Sequence, residues 1–227
     1  MMQPDRFYVQ NRFAELITNL SLRDKFEVAV VGGTKEDTEI KQLYSSNRTF
    51  TVKTLGIENS DYYFDLNQTQ NFDLRFDLVL SSHVFEHIWN LPTAIRNLKR
   101  LLKPQAYLWV NVSASNRKHG SPGYYSSGYS ADMLRELFKF ADLSVIECMD
   151  IGTQRNYNYV HLFQRWPTSR DLTPNLLKTF QVEQLNKNVL KQLLSRAAKS
   201  LIIRRWSTQL LSDSKYSTET YGLAQNL

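Results

Sequence analysis

The chain has 227 residues, 42% of them apolar and 22% charged, a composition that supports a full buried core and excludes disorder as the dominant state. Its net charge of +6 is uneven: from Asp171 onward eight Lys/Arg face four Asp/Glu, while the preceding part is nearly neutral, which excludes a nucleic-acid surface running over the whole chain. The single cysteine, Cys148, excludes an internal disulfide. With no apolar secretion-signal core after Met1 and no run of the roughly 18 apolar residues that span a bilayer, a reduced, cytoplasmic protein is expected.

Residues 4–22 spell a helix with Phe7, Phe13, Leu16, Ile17 and Leu20 at its apolar positions. The run 26–31 is β-branched and ends at Gly32-Gly33, the pattern of a buried parallel strand leaving into a tight loop. A helix follows over 37–44, then strands at 50–57, 62–64 and 76–80. Their ends carry Glu58, Asp65 and Ser81-Ser82-His83 in turn. Asn90 caps a helix that has Pro92 in its first turn and is stopped by Pro104. Residues 107–112 form a fifth strand, a Gly/Ser/Tyr loop covers 115–129, and Ser130 caps another helix. Two last strands are expected at 143–148 and 158–163. Strands alternating with helices specify an α/β fold, a doubly wound and mostly parallel sheet of seven strands.

In such sheets ligands bind outside the carboxyl ends of the strands, where the strand order reverses. That rule gathers Gly32-Gly33, Glu58, Asp65, Ser81-Ser82-His83 and residues 111–115 into one candidate site. The same segments carry a resemblance. Phe76-Asp-Leu-Val-Leu-Ser-Ser-His-Val-Phe-Glu-His-Ile88, then Leu98-Lys-Arg-Leu-Leu-Lys-Pro104, resembles the "S-x-V-L-E-H" turn and "L-K-P-G-G" helix end of class I S-adenosylmethionine-dependent methyltransferases. Phe64-Asp65-Leu66-Asn67 resembles that family's third-strand turn, and the region 149–156 its last hairpin.

The resemblance implies a Rossmann-like methyltransferase fold with S-adenosylmethionine as cofactor. It puts Gly32, Gly33 and Thr34 against the methionine part and Glu58 on the ribose hydroxyls. Asp65 and the Leu66 N–H meet adenine, and Ser82 and His83 close the site. Thr34 and Glu36 stand where the family carries its second and third loop glycines, so binding requires the Glu36 side chain to point away. A hydroxyl acceptor needs a base. His87 and His83 are the candidate catalytic residues, since an imidazole with an ordinary pKa of about 6.5 suits that task. The bland alternative for His87 is a buried ring tying the turn together. Glu86 is placed to orient either histidine or to favour a helix N-terminus. His119, Tyr124 and Tyr125, in the loop beside the site, are the candidate substrate contacts, because tyrosines offer stacking faces and hydroxyls. The expected function is methyl transfer to a small-molecule or glycan hydroxyl in polysaccharide or natural-product assembly. A non-catalytic scaffold of the same fold and an RNA methyltransferase are the alternatives. No metal site is expected, and nucleic acid is not an expected partner.

The division expected is a methyltransferase-like domain over 1–167 and a basic, helical extension over 168–227. Apolar doublets at 189–190, 193–194, 197–198 and 201–202 give one helix an apolar stripe and a basic face. Its expected partners are the domain, a second subunit in a homodimer, or a membrane surface.

Overall fold

The computed structural model describes residues 4–46, 48–116, 123–154, 157–158, 161, 210–212 and 217–227. In chain order the elements are α1 (Pro4–Asn19), β1 (Lys25–Val31), α2 (Thr38–Tyr44), β2 (Thr49–Gly56), β3 (Tyr62–Tyr63), β4 (Phe76–Ser82), α3 (Leu91–Arg100), β5 (Leu102–Ser113), α4 (Ala131–Phe140), β6 (Ser144–Thr153), β7 (Leu210–Ser212) and β8 (Glu219–Gln225). A 3₁₀ turn, Phe85–His87, separates β4 from α3.

The strands form one sheet in the order β3-β2-β1-β4-β5-β8-β6-β7. Strands β1 to β5 pair in parallel, and β8 lies antiparallel between β5 and β6. The buried stretch of β1, Val28 to Val31, shows why: Ala29 and Val31 pack in one core with α3 and α4, while Val28 and Val30 pack with α1 and α2. A strand covered on both faces has no polar face to alternate with. Helix α1 buries Val9, Phe13 and Ile17, spaced four apart on one face, against Trp109 and Tyr221. The Phe13 and Trp109 rings lie 5.0 Å apart. The two predicted caps form: Asn90 accepts from the Thr93 N–H and Ser130 from the Met133 N–H.

Several expectations are corrected. Phe7 is 57% exposed, and Val9 holds the inward position instead. The helix before Pro104 ends earlier, at Arg100, and Pro104 lies inside β5. Of the strand expected at 158–163, the described residues Asn158 and His161 are helical. The strand that pairs with β6 is β8, more than 50 residues further along, and the sheet has an eighth, short edge strand in β7. The last residues are therefore not part of a helical extension: Glu219–Gln225 is an interior strand of the main sheet. The 167/168 boundary and the amphipathic helix at 189–206, with the homodimer and membrane contacts assigned to it, lie outside the described residues. Among the described residues no helix is long and apolar enough to cross a membrane.

Candidate active site

The carboxyl ends of β1, β2, β3 and β4 meet at one edge. Gly32 follows β1 with φ +75°, and a Cβ there would lie 2.6 Å from Val84 Cγ2, so only glycine fits between β1 and the turn after β4. Beyond it the Thr34 hydroxyl donates to Asp37 Oδ1 (2.9 Å) and accepts from the Glu36 N–H (3.2 Å). This tight turn sends the Glu36 side chain outward, 84% exposed and 3.6 Å from Lys41 Nζ. The loop thus dispenses with two further glycines by folding on its own side chains. Lys35 reaches across to Asp61 (3.0 Å), which joins the loop after β1 to the loop after β2.

Glu58, two residues past β2, is exposed and makes no hydrogen bond or ion pair among the described residues. Its loop is fixed from behind: the Thr54 N–H donates to Asp61 and the Asp61 N–H to Thr54 Oγ1. The Thr54 N–H and Lys35 hold the Asp61 carboxyl down at about 2. Asp65 forms an Asx turn, accepting from the Asn67 N–H and the Gln68 side chain, each at 2.9 Å. Leu66 is buried beside it, its carbonyl accepting from Asn97 Nδ2 at 3.3 Å.

The turn after β4 holds the titratable groups. Ser82 Oγ donates to the buried Glu39 of α2 at 2.6 Å. His83 adopts φ +56°, a left-handed conformation rare for a residue with a side chain. Its N–H donates to the Asn111 carbonyl at 2.7 Å. Its Nδ1 lies 3.6 Å from Glu86 Oε1 and its Nε2 3.6 Å from Glu219 Oε2. Burial pushes the Glu86 carboxyl up, and His83 with the backbone pulls it down further, so the net shift is downward. Glu219, buried at the start of β8, is shifted upward by loss of water. His87 Nδ1 lies 2.8 Å from the Gly123 carbonyl. A carbonyl only accepts, so Nδ1 is the donor in this contact.

The loop over this turn is latched to it. The Tyr125 N–H donates to the Glu86 carbonyl at 2.8 Å and the Tyr129 hydroxyl to the Phe85 carbonyl at 3.1 Å. The Tyr124 ring lies 6.0 Å from that of His87, and burial raises its hydroxyl pKa. The Tyr125 side chain is exposed. Beside the loop, Ser115, Tyr129, Ser130, Asp150, Tyr157 and Ser217 line a cleft of about 290 Å³. His119 lies outside the described residues.

Gly32, Glu58, Asp65, Leu66, His83 and His87 thus share the edge that their spacing predicts, whereas the Ser82 hydroxyl is already engaged by Glu39. Asn111, Glu39 and Glu219 are additions. Asn111 stood at a predicted strand end, while Glu39 is an ordinary helix carboxylate in sequence. Glu219 is separated from His83 by 136 residues with no local signal.

A family model described as Methyltransferase domain matches residues 33–187, and the chain belongs to that family, the class I S-adenosylmethionine-dependent methyltransferases. No curated protein matches it in sequence. Its fold is similar to that of a protein assigned as a sarcosine dimethylglycine methyltransferase from Galdieria sulphuraria (TM-score 0.56, 12% identity, 97% of this chain and 86% of that one). It is also similar to coclaurine N-methyltransferase (0.53, 12%, 96% and 72%) and to the [4+2]-cyclase SpnF (0.54, 13%, 96% and 80%). At such identities the likeness establishes the fold alone. One residue at the edge fits the family's cofactor: Glu58 is an exposed carboxylate that is unengaged among the described residues.

Proposed function

We propose that this methyltransferase acts on a hydroxyl of a small molecule or glycan, with His87 as the base. Bound S-adenosylmethionine supplies an electrophilic methyl group on a sulfonium. In this reading Glu58 accepts the ribose hydroxyls, the Asp65–Leu66 turn meets adenine, and Gly32, Gly33 and Thr34 face the methionine part. His83 contacts the cofactor from the turn after β4. His87 takes the acceptor proton, and Tyr124 and Tyr125 flank the acceptor. The observation that supports the reading is the His87–Gly123 hydrogen bond, which anchors the imidazole by Nδ1 against the loop over the turn. The cleft beside the same loop, lined by hydroxyls and by the Asp150 carboxylate, suits a polar acceptor.

The test is release of S-adenosylhomocysteine with panels of sugars, nucleotide sugars, phenols and amines. Turnover with a hydroxyl panel is expected, falling about 100-fold in His87→Ala with S-adenosylhomocysteine affinity unchanged. Turnover confined to amines, or indifferent to His87→Ala, contradicts the reading. Two similar structures being methyltransferases of amine substrates by name is the reason the amines are included.

A further inference from the structure

Glu219 is an unusual choice for the first residue of an interior strand. Its side chain is 1% exposed, and Oε2 has no hydrogen-bond partner. Among the described residues the other basic side chain facing it is Arg6 of α1, whose Nε stands 3.8 Å from Oε1. A buried carboxylate so weakly satisfied costs stability, and an apolar residue would serve the strand better. What Glu219 does face is the His83 ring.

We propose that Glu219, brought to the strand ends by the last strand, is a positioning residue that fixes the ring of His83 in the site. His83 is flanked at both nitrogens: Glu86 stands 3.6 Å from Nδ1, Glu219 3.6 Å from Nε2, and Asn111 Nδ2 3.3 Å from Nε2. A half-turn of the imidazole about its Cβ–Cγ bond puts carbons where the nitrogens now stand and loses both carboxylates at once. In the observed orientation both ring nitrogens face polar groups, while the side chain stays 23% exposed. The carboxylates behind it are sealed from solvent. This is the arrangement of an acid that orients an imidazole working at a site, with the acid itself out of reach of any ligand. The C-terminal strand then serves the site as well as the sheet.

The proposal rests on the reading of His83 as a cofactor contact, and the test separates the two. S-adenosylhomocysteine is titrated calorimetrically into the full chain, into Glu219→Gln, into His83→Asn and into the double variant. Glu219→Gln is expected to weaken binding about fivefold when His83 is present and to add nothing in the His83→Asn background. Equal losses in both backgrounds mark Glu219 as merely structural and overturn the proposal. A loss in His83→Asn without one in Glu219→Gln also overturns it, while sparing the role of His83. No loss in His83→Asn removes both. A ligand-free readout decides the matter even if the chain binds no S-adenosylhomocysteine. The ring-nitrogen resonances of His83 in the ¹⁵N-histidine-labelled chain are expected to shift and broaden in Glu219→Gln as the ring begins to exchange orientations. Unchanged resonances overturn the proposal. Glu219→Met, apolar and of similar length, is expected to give the same spectral change with an unfolding temperature at or above that of the wild type.

Discussion

Gly32 and Asp65 show how single residues at the strand ends combine local geometry with ligand contact. Replacing Gly32 by Ala forces a side chain into φ +75° and into Val84 Cγ2, with backbone strain alone of about 1–3 kcal/mol. Gly32→Ala is therefore expected to lower the unfolding temperature and weaken S-adenosylhomocysteine binding together. Asp65→Ala is expected to weaken that binding by about 1–3 kcal/mol, because it removes the carboxylate read as the adenine acceptor. It also opens the turn through Asn67, whose Oδ1 accepts from the Trp89 and Asn90 N–H groups, so a modest loss of stability accompanies it. Calorimetry and thermal melts on the same samples check both. These residues were legible because each follows a recognisable strand at a fixed offset. Glu39 and Glu219 were not, because a carboxylate's burial depends on partners remote in sequence.

Among the elements, α1 is tied to the sheet by a two-point ion pair: Arg12 Nε and Nη2 meet the Glu147 carboxylate of β6 at 2.9 and 2.7 Å, and the Tyr221 hydroxyl donates to it as well. The Arg12 hydrogen bonds hold the Glu147 pKa below the ordinary glutamate value, outweighing burial. A carboxylate with a depressed folded pKa contributes stability that is complete above the unfolded value of about 4.3 and is lost as pH falls through the folded one. Urea unfolding of wild type and Glu147→Gln is expected to differ by about 1–2 kcal/mol at pH 7. The difference should shrink steadily below pH 4; a gap that stays constant down to pH 3 contradicts the assignment. Elements with their own punctuation were read within a few residues, as Asn90, Ser130 and the run before Gly32 show. Along α1 and just past its end, Phe13, Leu16, Ile17 and Leu20 face the core as expected, and only Phe7 was misjudged, because it is apolar yet lies off the stripe through Val9, Phe13 and Ile17.

For the molecule as a whole, the decisive feature is that its last strand is an interior one. Strand β8 pairs with β5 from Tyr107↔Gln225 to Ser113↔Glu219 and with β6 from Ser144↔Gln225 to Ile151↔Glu219. Sequence alone put the hairpin partner at 158–163, since a β6-like strand is usually answered by the next apolar run. Nothing local marks a strand that returns from beyond 50 intervening residues. A division at 167/168 implies that a chain ending near Ser169 keeps cofactor binding. The sheet predicts the opposite, because without β8 two interior strands lose their ladder partners and their backbone groups go unpaired. Such a chain is expected to show no cooperative thermal transition.

The central claim is that the edge formed by Gly32, Glu58 and Asp65 holds S-adenosylmethionine. A calorimetric titration of the full chain with S-adenosylhomocysteine tests it most directly. The account predicts saturable binding, weakened by Glu58→Ala and by Asp65→Ala while His87→Ala leaves it unchanged. No binding at millimolar ligand, or binding indifferent to both carboxylate substitutions, would contradict it.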